Sequence, residues 1–309
     1  MARRKKGRAV HGWLVLDKPA GMTSTQAVGA VRRLYDARKA GHAGTLDPLA
    51  TGVLPIAFGE ATKTMPYAVD GTKHYCFTVR WGAATDTDDA EGETVATSEL
   101  RPARAAIEAL LPSFTGEILQ TPPAFSAIKV DGARAYDLAR EGEIVELESR
   151  PVRIERLTLI DAPDPDTASF EARCGKGTYV RALARDMGKV MGCLGHLIAL
   201  RRTRVSPFEV EQAVSLASLQ AAAEAGGEEA LMRLLLPIEA ALQDLAELSV
   251  GQNDAARLLR GQSVLIRGRD APAGGGPTYA TCKGNLIAVG RIEKGELHPV
   301  RVFNFGDGN

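Results

Sequence analysis

The tightest constraint in this chain is a strict two-residue alternation over residues 74–81, HYCFTVRW. Successive side chains of a strand point to opposite faces, so Tyr75, Phe77, Val79 and Trp81 share one face and His74, Cys76, Thr78 and Arg80 the other. Such a strand belongs to a sheet with one face in a core, and the chain carries helices to cover it. In WLVLDKPAGMTSTQAVGAVRRLY (13–35), a short strand and a Pro-Gly turn lead to a helix whose apolar stripe is Val28, Val31, Leu34 and Tyr35. Thr23 with Gln26 three residues on fits a capping box, which starts this helix near Ser24. SFEARC (169–174) alternates as a second strand. GKGTYVRALARDMGKVMG (175–192) follows as a helix with Val180, Leu183, Ala184, Met187, Val190 and Met191 at helical spacing. Arg181 and Arg185 lie on a different face from that stripe.

A further helix is expected around 101–111, and the Ala-, Leu- and Glu-rich stretch 217–245 reads as two short helices divided by Pro237. Beyond about residue 248 the texture changes. SVLIRG, TYATCK, LIAVGRI and LHPVRVF are short strand candidates separated by the turns APAGGGP, KGN and EKGE, the pattern of a small β-barrel. A length of 309 residues exceeds what one core usually organises. The expected fold is therefore α+β (mixed α/β), with a catalytic-sized domain over 1–247 and a β-rich domain over 248–309. Residues 1–10 read as a basic tail. Residues 121–146, punctuated by Pro-Pro, Asp-Gly and Glu-Gly, read as an exposed excursion.

Composition, at 45% hydrophobic and 25% charged, is that of a globular protein. No apolar run approaches the ~18 residues of a bilayer span, and MARRKKGRAVHG lacks the apolar core of a secretory signal, so no membrane association and a cytoplasmic location are expected. Cys76, Cys174, Cys193 and Cys282 form no C-x-x-C pair, and His11, His42, His74, His196 and His298 form no H-x-x-x-H pattern. Neither a metal site nor a disulfide framework is indicated. Net charge is zero, yet residues 171–204 hold eight basic side chains against two acidic ones, and the first eight residues add Arg3, Arg4, Lys5, Lys6 and Arg8. Both clusters fit phosphate contacts, and both equally fit a solvated face.

GKGT (175–178) lies between strand and helix but lacks the upstream glycine of a nucleotide-binding loop, while its amides remain able to hold an RNA phosphate. GHAGTLDPLATG (41–52) sets three glycines around a single carboxylate, Asp47, which Pro48 restricts toward extended backbone. By itself Asp-Pro is a common turn initiator, His42 a common structural side chain, and Tyr75 a packing residue on an apolar strand face. Arg181 opposes the dipole at a helix start, which suggests an anion that compensates it.

Taken together and in order, GWLVLDKPAGMTS, GHAGTLDPLATGVLPIAFGEATK, KHYCFTVRWGAATDTDDAEG, TPPAFSAIKVDGARAY, GKGTYVRALARDMG and LRRTRVSPF resemble the motifs of the TruB family of tRNA pseudouridine synthases. The resemblance runs through most of the first 210 residues. It implies a pseudouridine synthase catalytic domain with a largely antiparallel sheet flanked by helices, and the C-terminal segment is similar to the family's PUA-type RNA-binding barrel. It implies an isomerase that converts uridine 55 of the tRNA T-loop to pseudouridine, with base flipping and no cofactor or obligate protein partner. The partner implied is the tRNA T-stem loop, and the basic 171–204 region and the 121–146 excursion are expected to grip it by shape and phosphate contacts. Position by position, Asp47 matches the essential aspartate, Tyr75 the active-site tyrosine and Arg181 the arginine paired with the aspartate. His42 matches the residue that fills the gap left by the flipped base, Tyr179 and Leu200 fall on substrate-pocket positions, and Lys18 and Pro19 line the site's floor. A lone ionised carboxylate suffices for such an isomerisation: it can attack C1′, add to C6, or take the 2′ proton. A non-enzymatic RNA-binding module and a metal-dependent RNA hydrolase are the competing readings.

Overall fold

The computed structural model describes residues 7–126, 128–130, 133–134, 147–266 and 276–305. Its first seven strands are β1 (Gly12–Lys18), β2 (Ala40–His42), β3 (Thr51–Phe58), β4 (Lys73–Trp81), β5 (Ala83–Thr85), β6 (Thr94–Thr97) and β7 (Gly116–Gln120). After the short pair β8 (Lys129–Val130) and β9 (Ala133–Arg134) come β10 (Arg150–Asp164), β11 (Thr167–Cys174), β12 (Gly195–Val205), β13 (Phe208–Glu209) and β14 (Val214–Ser215). Ten of these strands form one sheet in the order β14-β1-β3-β12-β4-β11-β10-β7, with β2 added to β3 and β13 to β12. Only the β1/β14 and β12/β3 pairings are parallel. The sheet is thus largely antiparallel, and strands far apart in sequence meet at its centre.

Among the described residues four helices cover one face: α1 (Ser24–Leu34), α3 (Arg104–Leu110), α4 (Val180–Val190) and α5 (Leu216–Met232), which brings Leu219 and Leu231; α2 is Met65–Asp70. Tyr75, Phe77, Val79 and Trp81 are buried there with Val31 of α1, Ile107 of α3 and Leu183 and Met187 of α4. Each large side chain so buried contributes roughly 1.5–3 kcal/mol. The capping box is present as expected, with Thr23 Oγ1 accepting from Gln26 N and the Gln26 side chain accepting from Thr23 N.

β1 reads as an unbroken apolar run because both its faces are covered. Leu14 and Leu16 join the helix-covered core, whereas Trp13 and Val15 pack with Phe208, Ile238 and Leu242. Leu286, Val289 and Phe303 from the C-terminal part complete this second core. They come from a separate five-stranded sheet, β15 (Ala246–Ser249), β16 (Val264–Leu265), β17 (Pro277–Cys282), β18 (Asn285–Glu293) and β19 (Glu296–Val302), ordered β15-β17-β18-β19-β16. It curls into a PUA-like half-barrel against the back of β1 and β3.

Four expectations change. The 217–245 stretch holds one helix, α5 (Leu216–Met232), kinked at Gly227, followed after Pro237 by a 3-10 turn, Ile238–Leu242. Within the β-rich segment the Gln252–Leu259 stretch is a helix, α6, whose Ala255 and Leu258 are buried. Val190 is exposed at the end of α4 rather than part of its buried stripe. Residues 7–10 are not a tail, because Arg8 bridges to Ala37 and Val10 lies in the core. Residues 1–6, and 127, 131–132 and 135–146 of the excursion, lie outside the described residues.

Candidate active site

Register builds the site. Lys18 on β1 faces Gly52 on β3, Gly52 faces Arg202 on β12, and Arg202 faces Tyr75 on β4. Directly opposed residues share a sheet face, so Lys18, Arg202 and Tyr75 form one row, and Leu200 opposite Phe77 stands two residues along. Only glycine fits between Lys18 and Arg202: Gly52 has φ +102°, and a Cβ there would stand 2.2 Å from the Arg202 carbonyl oxygen.

The two cations of this row hold the loop that carries Asp47. Arg202, 1% exposed, donates from Nε to Val53 O (2.8 Å), from Nη1 to Thr45 O (3.2 Å) and from Nη2 to Gly44 O (3.1 Å). The fully buried Lys18 donates from Nζ to Pro19 O and Met22 O (2.7 Å each) and to Pro48 O (3.3 Å). Between them Ser24 Oγ both donates to Leu46 O and accepts from Leu46 N at 2.9 Å, and Gly21 N donates to Pro48 O at 2.9 Å. The loop's carbonyls are turned inward onto donors at 44, 45, 46 and 48, which leaves the Asp47 side chain one-third exposed.

Arg181, in the first turn of α4, meets that carboxylate. Its Nε lies 3.0 Å from Asp47 Oδ2 and 3.5 Å from Asp89 Oδ2. Nη1 donates to Thr87 O and Nη2 to Phe125 O, both at 2.9 Å. The two carboxylates offset the unfavourable placing of a cation at a helix start. Asp89 is itself fixed, its Oδ1 accepting from Thr87 Oγ1 (2.6 Å) and Glu91 N (3.0 Å). With side chains 6% and 4% exposed, Arg181 and Asp89 form a desolvated pair, and only Asp47 reaches toward solvent.

Burial dominates the electrostatics of the neighbours. It lowers Lys18 to about 8 against the opposing pull of Asp47 and Glu91. It raises the Tyr75 phenol, with Arg202 working the other way, and raises Tyr179. Burial and the Arg202 charge both lower His42, which ends β2 two residues before Gly44. Glu91 is raised by burial and by Asp89. Tyr179 caps α4, its backbone N–H donating to Gln120 Oε1 (2.8 Å) while its carbonyl accepts from Gln120 Nε2 (3.1 Å). The structure therefore brings Lys18, Asp47, Tyr75 and Arg181 around one point, with Tyr179 adjacent through α4, His42 through β2 and Leu200 through β12.

A family model described as the TruB family pseudouridylate synthase N-terminal domain matches residues 32–180, and one described as the tRNA pseudouridylate synthase B C-terminal domain matches residues 181–243. The chain belongs to the TruB family of pseudouridylate synthases. It is 61% identical to the tRNA pseudouridine synthase B of Bradyrhizobium diazoefficiens over 97% of this chain and 88% of that one. It is 55% identical to that of Agrobacterium fabrum over 97% of each. Among solved structures, the archaeal box H/ACA sRNP Nop10-Cbf5 complex aligns with a TM-score of 0.72 at 24% identity, covering 96% of this chain and 87% of that one. An H/ACA RNP bound to a substrate RNA containing 2'-deoxyuridine gives 0.71 at 22% identity, covering 98% and 90%. These two likenesses establish the fold.

Within the TruB fold, two residues escaped sequence reasoning. Asp89 lies in the acidic run TDTDDAEGE, where nothing local separates a buried carboxylate from solvated ones. Arg202 stands in the basic cluster 171–204, most of whose cations are already engaged within the protein. Arg173 pairs with Glu155, Lys176 with Asp70, Arg185 with Asp88 and Asp186, Arg201 with Asp17, and Arg204 with Glu209. Arg181 and Arg202 are buried, so among the cluster's cations only Lys189 has no such engagement among the described residues.

Proposed function

We propose that the chain isomerises uridine 55 in the T-loop of tRNA to pseudouridine, with Asp47 as its catalytic residue and no cofactor. The family membership and the relatives' names support tRNA as the substrate. The observation that carries the assignment of Asp47 is its carboxylate, half fixed at 3.0 Å by a buried guanidinium and still one-third open to an incoming nucleoside.

The reaction breaks N1–C1′, turns the uracil and joins C5 to C1′; the proton leaving C5 balances the one gained at N1. An ionised Asp47 is the group needed whether it attacks C1′, adds to C6 or takes the 2′ proton. Arg181 holds that carboxylate aimed, its Nε 3.0 Å from Asp47 Oδ2. The target base is stacked in its loop, so it is first extruded at a cost of about a few kcal/mol. His42 stacks in the vacated space and offsets part of this cost. Tyr75 stacks on the extruded uracil, an interaction worth roughly 1–3 kcal/mol per base. Tyr179 and Leu200 line the pocket, and Lys18 with Pro19 forms its floor. The T-stem loop is the part of the tRNA that docks, the 121–146 excursion helps to grip it, and residues 248–309 form an RNA-binding domain distinct from the catalytic 1–247. No described helix is long and apolar enough to cross a membrane. With tRNA as substrate, the cytoplasm is the place of action.

The test is to incubate the purified protein with a T-arm hairpin RNA, without added metal or nucleotide, and map the modified position. Pseudouridine at the loop position equivalent to 55 is expected. An unmodified hairpin, or strand cleavage instead of isomerisation, overturns the proposal.

A further inference from the structure

The first 40 residues hold ten Lys or Arg against two Asp or Glu, in a chain whose net charge is zero. One of those ten, Lys18, is buried in the site. The described others, Arg8, Arg32, Arg33, Arg38 and Lys39, gather at the far end of α1. Arg32 and Arg33 form its last turn, and Ala37 N donates to Arg32 O. Arg8 N donates to Asp36 O, and Arg8 O accepts from Arg38 N. The sequence preceding Gly7 is Arg3-Arg4-Lys5-Lys6. Arg8 is paired with the exposed Glu228, and Asp36 is a second exposed acid on this face, but Arg32, Arg33, Arg38 and Lys39 have no carboxylate partner among the described residues. Unpaired cations crowded together repel one another, and phosphates relieve that repulsion while releasing counterions.

α1 connects this patch to the site. Its first residue bonds the Asp47 loop through Ser24 and Leu46, and 11 residues at about 1.5 Å each carry its end roughly 16 Å away. The helix contains no acidic residue. Arg33 lies back over Gly29, toward the active-site end, its Nη1 3.7 Å from where a Cβ on Gly29 would stand. Phe125 O, within the excursion, accepts from Arg181 Nη2, whereas Gly21 N and Ser24 Oγ bond Pro48 and Leu46 of the Asp47 loop. A hairpin held at Asp47 leaves the far end of α1, a helix length away, to RNA that adjoins the T-loop. In a folded tRNA that neighbour is the D-loop.

Resting on the proposed tRNA substrate, we infer that the cationic end of α1 is a second RNA-binding surface, which holds phosphates of the tRNA outside the T-arm. Its occupant is RNA backbone, read by charge rather than by base.

The test compares an unmodified full-length tRNA transcript with the isolated T-arm hairpin, using the wild type and the triple variant Arg32→Glu, Arg33→Glu, Lys39→Glu. A milder triple Gln variant guards against fraying of the helix end. Arg38 is left alone because its Nε donates to Gly7 O. For the full-length tRNA, affinity falls at least tenfold in the Glu variant, and the slope of log affinity against log salt becomes shallower by about two to three, near 0.9 per lost phosphate contact. Hairpin affinity and hairpin conversion stay within twofold of the wild type, which shows that the variants fold. Equal losses on both RNAs, or no loss on either, overturn the inference. Failure of the wild type to convert the hairpin would instead strike the proposed function.

Discussion

Two arginine-rich regions of this molecule use the same side chain in opposite ways. Around Arg181 and Arg202, guanidinium groups are almost fully buried and each is bonded to carboxylates or carbonyls. At the end of α1, Arg32, Arg33 and Arg38 are exposed and carry no carboxylate partner among the described residues. The fork of five donors suits both tasks, as a strut that gathers the ends of distant loops and as a docking point for phosphate. Charge density alone cannot separate the two, because counting residues does not reveal what each cation already holds.

The comparison breaks most visibly at Arg181. Replacing it with Met leaves Asp47 and Asp89 facing each other without their cation, and loss of one partner of a buried pair costs about 3–5 kcal/mol. Single-turnover conversion is expected to fall by at least about a hundredfold, a loss of 2.7 kcal/mol in transition-state terms. Arg181→Lys restores little, since an ammonium cannot span Asp47, Thr87 and Phe125 together. Unchanged conversion in Arg181→Met would remove the strut interpretation.

Arg202→Met comes next. Its carbonyl partners at Gly44, Thr45 and Val53 lose their donor, at roughly 1–3 kcal/mol for each group left unsatisfied in the interior. A lower Tm and a lower kcat are expected, with the salt dependence of RNA binding unmoved. A changed salt slope with normal stability would place Arg202 with the docking cations instead.

A smaller effect follows pH. Burial lowers Lys18 to about 8, so its bonds to the Pro19, Met22 and Pro48 carbonyls lose their charge as pH rises through that value. Conversion should decline there, and Lys18→Arg should move the decline to higher pH. Stability runs the other way: between about 8 and 10.5 the unfolded chain keeps a proton that the folded chain has lost, so this residue's contribution to folding rises with pH. A flat pH profile through 7–9.5 in a rapid-quench assay would contradict this role.

The smallest change is expected at the paired surface cations. Lys176→Gln removes a side chain that is 67% exposed and already bonded to Asp70. Such surface pairs contribute at most about 1 kcal/mol, and RNA affinity should move by twofold or less. A large loss would return the 171–204 cluster to the role of a phosphate-binding face.

Local chemistry made part of this legible. The capping box starts α1 where Thr23 and Gln26 place it, and the alternation at 74–81 gives the buried face of β4. Asp47, Arg181, Tyr75 and Lys18 came from matched motifs, and the structure gathers them. The row Lys18, Gly52, Arg202, Tyr75 was not legible, since strand order and register are set by packing between segments up to 184 residues apart. Asp89 and Arg202 were hidden for the same reason: burial is a tertiary property, and each stands among similar charges that remain in water. The helix α6 was missed because its eight residues sit inside Gly-rich strand texture.

The most direct test replaces Asp47 with Asn, which preserves the shape of the side chain and removes its charge. Wild type and variant are compared for affinity to a T-arm hairpin and for pseudouridine formed at enzyme excess. Unaltered affinity with no detectable pseudouridine is the predicted result. Continued conversion by Asp47→Asn would show that the reacting group lies elsewhere.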